Sequence, residues 1–253
     1  MIMGEGQFAD PGQRAYTPII LDLPEPITAL RFVPSYLSHA LTYCLSATPE
    51  TTYSAGRKHL IALDAKHQVW LFVSWGRPAR IVSPVISDAS SAVSRVIQVE
   101  AGWSNFAVLT ALGTVYVGWP FEGEMKAKID AHDQELDSAP IRRAAARVSE
   151  DRKVPCEVWD LHHDLFELPS IPRDLPTLGA NTDSTNEEEL RLIKIAAGDQ
   201  FIVGLTNGGH VLKIDIQIDD QDFENGLRAI RQSFRYGERK WEYVSLCQCC
   251  LSS

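Results

Sequence analysis

The side chains that could ligate a metal fall in two places. One is the CQCC run of Cys247, Cys249 and Cys250; the other is Cys156 with His162, His163 and Asp164. Zinc sites pair one close cysteine couple with a second, distant one, and the chain offers no second couple. Adjacent histidines in an extended segment point to opposite sides. The stretch WDLHHDLF (159–166) therefore reads as a partner-binding linear segment or a solvated loop before it reads as a metal cluster. No Ser-His-Asp order, phosphate loop or Gly-rich dinucleotide fingerprint stands out. No catalytic, cofactor-binding or metal-binding residue is assigned, and the expected chemistry is binding without turnover.

Binding needs anchors, and Trp70, Trp75, Trp103 and Trp119 supply aromatic surface. They either pack inside the fold or reach a face where aromatic anchors dominate affinity. Choosing requires the elements, and these come from an internal repeat. SAGRKHLIALDAKHQVWLFVSWG (54–76), EAGWSNFAVLTALGTVYVGW (100–119) and AAGDQFIVGLTNGGHVLKID (196–215) align on Gly56, Gly102 and Gly198. The same columns then hold Leu63, Leu109 and Leu205; His67, Gly113 and Gly209; and Val69, Val115 and Val211.

Each unit predicts a β-rich run ending at Ala-Gly, a second apolar strand, a tight turn and a third strand. Gly113 and Gly209 stand where the turn needs a positive φ. His67 tolerates that region less well, so its turn is expected to differ. At Ala-Gly the missing side chain lets backbones approach closely. A small antiparallel sheet of this size cannot bury both faces alone; packing sheets radially around an axis buries them. The fold expected is all-β, a partial, open β-propeller. The residues after each Ala-Gly pair (Arg57, Lys58, Trp103, Ser104, Asp199 and Gln200) should gather on loops at one rim, as the candidate protein-binding residues.

These repeats resemble those of the regulator-of-chromosome-condensation family, whose unit runs roughly strand, AGxxHxxxLT, xxGxVYxWG. The family's histidine falls on His59 here, but Asn105 and Phe201 take its column in the other copies. Trp75-Gly76 keeps the terminal pair, and Gly118-Trp119 reverses it. LDLPEPITAL, VWLFVSWGRPAR and RYGERKWEY are similar to the fungal F-box propellers, the SCF-associated factors. That likeness implies a substrate-recognition component of an SCF-type ubiquitin ligase, with a protein substrate and ligase subunits as partners, although no F-box is visible. The founding member of the family implies the alternative, guanine-nucleotide exchange on a small GTPase. A closed propeller of the family needs more residues than these, so the chain is expected to form one incomplete propeller domain over residues 1–253.

Composition agrees with a binding scaffold and excludes other classes. Hydrophobic residues make up 45% and charged residues 23%, a globular balance rather than a disordered one. The net charge of −9 belongs to one segment: residues 121–190 hold 17 acidic and 8 basic side chains, which leaves 16 of each elsewhere. A basic footprint for nucleic acid is missing, and no apolar run approaches a membrane span. Five scattered cysteines fit a reducing compartment, cytoplasmic or nuclear. Residues 121–190 are expected to be an acidic, partly flexible insertion, with a short helix near 141–148. The stretches 31–53 and 244–253 lack repeat character.

Overall fold

Short apolar strands separated by tight turns build three sheets of the same design. The computed structural model describes residues 20–22, 53–55, 59–73, 77–86, 91, 94–138, 153–155, 157–175 and 189–244. The first strands are β1 (Ile20–Asp22), β2 (Tyr53–Ala55), β3 (Leu60–Leu63), β4 (Val69–Phe72) and β5 (Ala79–Val82). Next come β6 (Val96–Ala101), β7 (Phe106–Thr110), β8 (Val115–Gly118) and helix α1 (Gly123–Ser138). Then follow β9 (Lys153–Pro155), β10 (Trp159–His162), β11 (Phe166–Glu167), β12 (Leu192–Ala197), β13 (Phe201–Thr206) and β14 (Val211–Asp215). Helices α2 (Asp220–Glu224) and α3 (Gly226–Tyr236) lead to β15 (Glu242–Tyr243).

The three sheets run β2-β3-β4-β5-β10, β6-β7-β8-β11 and β12-β13-β14-β15, each with an antiparallel three-strand core from one sequence repeat. They are successive propeller blades in an open arc. Strand alternation decides which neighbour each blade buries. Phe106, Val108 and Tyr116 join a core with Ile61, Leu63 and Leu71 of the first blade. Ala107, Leu109, Val115 and Val117 face the opposite way, into a core with Ile195, Ile202, Leu212 and Ile214 of the third. Full burial is worth about 1.5–3 kcal/mol for each large apolar side chain. On the third blade the columns of Ala107, Leu109 and Val115 hold Val203, Leu205 and Val211, which are only half-buried. Phe201 is 37% and Ile193 44% exposed, so this blade leaves apolar surface uncovered.

The turn between the second and third strands repeats down to single atoms. The amides of Asp64, Thr110 and Thr206 donate to the carbonyls of Gln68, Thr114 and His210. The side-chain oxygens of the same three residues accept the amides of Gln68, Thr114 and His210. His67 does not alter this turn, contrary to expectation: it adopts φ 60°, beside 87° at Gly113 and 83° at Gly209. Its ring Nδ1 lies 2.8 Å from the Val96 carbonyl of the next blade, a tertiary bond that offsets the strain of the left-handed region.

Part of the acidic stretch, expected to lie outside the blades, completes two of them instead. Strand β11 pairs antiparallel with β8 as the fourth strand of the second blade, and β10 pairs parallel with β5 at the edge of the first. Leu161, Leu165, Phe166 and Leu168 are buried there, so 159–168 is neither a free linear segment nor a solvated loop. A two-pronged ion pair joins two of the register partners, with Arg80 Nε 2.8 Å from Asp160 Oδ1 and Nη2 2.6 Å from Oδ2. Helix α1 buries Met125 and Ile129 in the first core and stacks His132 on Trp159 at 4.0 Å. The helix expected near 141–148 lies outside the described residues, as do 31–52, 176–188 and the CQCC run.

Candidate interaction rim

The rim is made by two four-residue turns, Gly102 to Asn105 and Gly198 to Phe201. In each the glycine amide donates to the carbonyl three residues on, at 2.8 Å in both. The turns touch. A Cβ on Gly102 would stand 2.2 Å from the Gly198 carbonyl oxygen, so only glycine permits the approach. Across that gap the Trp103 amide donates to the Gly198 oxygen at 3.3 Å. Asn105 Nδ2 lies 2.7 Å from the Asp199 oxygen and 3.3 Å from that of Gly198. Asn105 is buried, and its Oδ1 has no hydrogen-bond partner among the described residues.

At the position three residues after the Ala-Gly glycine, Asn105 thus latches the second blade to the third. His59 occupies that position in the first blade, buried against the edge of Phe121 at a centroid distance of 5.6 Å. Both its ring nitrogens lack a partner among the described residues. Burial pushes its pKa down to about 4, with the backbone of Asn105 working against the shift. In the third blade Phe201 takes the position and carries the Lys213 ammonium 4.8 Å from its ring centroid.

Deeper in the interface, Gln98 receives the Ile195 amide on Oε1 at 3.0 Å and donates from Nε2 to the Ile195 carbonyl at 2.8 Å. It copies a strand's hydrogen bonding with a side chain and so fastens the inner strands of two blades. β-Bulges at Val96/Gln98 and at Leu192/Lys194 turn Ile97 and Ile193 outward at matching positions.

No protein-family model matches the chain, and no curated protein does. Among solved structures, Prp20p from Saccharomyces cerevisiae is 14% identical with a TM-score of 0.33, over 69% of this chain and 36% of that one. The structure of Kap60 bound to yeast RCC1 (Prp20) matches at 15% identity and a TM-score of 0.35, over 69% and 35%. Human WBSCR16 matches at 14% and 0.27, over 70% and 50%. The chain spans about a third of the length of the first two. The blade assignment rests on the sheets and registers above.

Of the six rim residues expected from sequence, the structure brings Trp103, Ser104, Asp199 and Gln200 onto these two adjoining turns, while Arg57 and Lys58 lie outside the described residues. Trp103 is 44% exposed, and Asp199 and Gln200 are exposed. The other tryptophans behave differently: Trp70 is buried with Nε1 donating to Asp64 Oδ2 at 2.9 Å, and Trp119 packs on Phe166 and Phe223 between blades. Trp75 lies outside the described residues. Sequence reasoning missed the latch role of Asn105 and the bridge from Gln98. The signal was a polar residue in each of those columns, and its meaning needed the neighbouring blade. Among the described residues no group of three or more His, Cys, Asp or Glu side chains could hold a metal ion, and no helix is long and apolar enough to cross a membrane.

Proposed function

We propose that the chain is a protein-binding scaffold whose partner rests on the rim formed by Trp103, Ser104, Asp199 and Gln200. In its finer form, the rim recognises the substrate of an SCF-type ubiquitin ligase. The observation that carries the reading is the exposed Trp103 ring on two turns already hydrogen-bonded to each other. Such a surface loses little freedom on binding, and Trp is among the residues enriched at binding hot spots. Asp199 and Gln200 add polar selectivity beside it. The activity would be positional: holding a substrate near a ubiquitin donor raises the effective concentration of its lysines.

The test is affinity capture with the tagged chain, comparing wild type, Trp103→Ala and Asp199→Ala, with ligase subunits scored among the captured proteins. Capture of ligase subunits together with a client lost in Trp103→Ala supports the reading. Client capture that is indifferent to both substitutions refutes the rim. Acceleration of nucleotide release from a small GTPase, without ligase subunits, replaces the ligase reading with exchange activity.

A further inference from the structure

A second charged surface lies away from the rim, on the outer side of the arc where α3 passes β11. Arg228, Arg231 and Arg235 follow one another at i, i+3 and i+7, which places them on one stripe of α3. With Arg239 they line a groove of about 520 Å³ whose apolar wall includes Phe166, Leu168 and Pro169. Glu167 is the one acidic residue in the described lining. This concentration of cations stands in a chain of net charge −9.

Arg228, Arg231 and Arg235 are exposed, and none has an ion-pair partner among the described residues. Like charges at i, i+4, as in Arg231 and Arg235, oppose helix formation. Arg239 is fixed differently: its guanidinium lies 5.0 Å from the Phe234 centroid and donates to the Gln217 carbonyl. The groove thus has one positioned cation and a row of cations with no ion-pair partner among the described residues.

We propose that this groove binds a phosphorylated, acidic peptide segment of a partner protein. The proposal does not rest on the rim. Guanidinium groups form forked, charge-assisted hydrogen bonds with phosphate, and clustered arginines are a recurring answer to phosphopeptides. Pro169 and the aliphatic stems of the arginines offer apolar contact beside the phosphate. An anionic membrane is the poorer match, because the apolar face of α3, Ile230 and Phe234, is buried in the core and cannot enter a bilayer.

The experiment uses the full chain and a degenerate peptide library with a fixed phosphoserine among acidic positions, read by fluorescence anisotropy. The unphosphorylated library and vesicles of phosphatidylcholine with phosphatidylserine are the comparisons. The expected result is a preference for the phosphorylated library that weakens with salt and falls about tenfold or more in Arg231→Gln/Arg235→Gln. The melting temperature of that variant should not fall, since the like-charge pair at i, i+4 is relieved, and Trp103→Ala should bind the library as wild type does. Equal binding of both libraries, binding to vesicles alone, no binding, or binding insensitive to the double substitution would each overturn the proposal.

Discussion

His59 should make the stability of this protein depend on pH in a window that its removal erases. In the folded chain its imidazole is buried with no hydrogen-bond partner for either nitrogen among the described residues, and burial lowers its pKa from 6.5 to about 4. The unfolded chain takes up a proton near pH 6.5; the folded chain does not until about pH 4. Lowering the pH through that interval therefore favours unfolding, and the loss levels off once both states are protonated. The gap between 6.5 and about 4, at about 1.4 kcal/mol for each pH unit, amounts to about 3 kcal/mol. His59→Phe installs the residue found in the third repeat and removes the titration. Denaturant unfolding of both proteins at about pH 7 and about pH 4 gives the difference directly. Any packing penalty common to both pH values cancels. Burial also lowers the His163 pKa, and the ion pairs of Asp160 and Glu124 lower theirs, but these are common to both proteins and cancel as well. Equal pH dependence in the two proteins, within about 0.5 kcal/mol, would show that His59 is not held neutral.

Gly102→Ala should lower stability by about 2–3 kcal/mol in urea unfolding, because the new methyl group meets the Gly198 oxygen at 2.2 Å and Asn105 Oδ1 at 2.6 Å. A loss below about 0.5 kcal/mol would mean that the two turns are not in contact. Asn105→Ala leaves the Gly198 and Asp199 carbonyls without their side-chain donor and should lower stability by about 1–3 kcal/mol in the same assay. Arg80→Ala, at an exposed ion pair, should lower it by less than about 1 kcal/mol. In that variant, NMR titration should show the Asp160 carboxyl returning upward toward the ordinary carboxylate range, since the bond from Arg80 is the main cause of its lowered pKa. An unmoved Asp160 titration would argue against the β5-β10 register.

The repeat was legible in the sequence because everything it specifies is local. Continuous apolar runs such as 60–63 and 106–109, the Ala-Gly pairs and the glycines at 113 and 209 act within one three-strand unit, so the blades and the rim turns follow from spacing alone. The radial packing was legible too, since each unit shows two apolar faces and can bury them only against copies of itself. The outer strands were not legible. Strand β10 lies beside β5, whose register partners are 80 residues earlier, in a parallel pairing that leaves no hairpin signal. Helix α1 hid in a charged stretch because its buried stripe is narrow, with Met125, Ile129 and Leu136 as its buried hydrophobics. The turn at His67 shows the division most clearly. Its own side chain disfavours the left-handed conformation, and a carbonyl from the next blade decides the matter. Local sequence set the unit; contacts between units, whose energy exceeds such local preferences, set how it is closed, latched and edged.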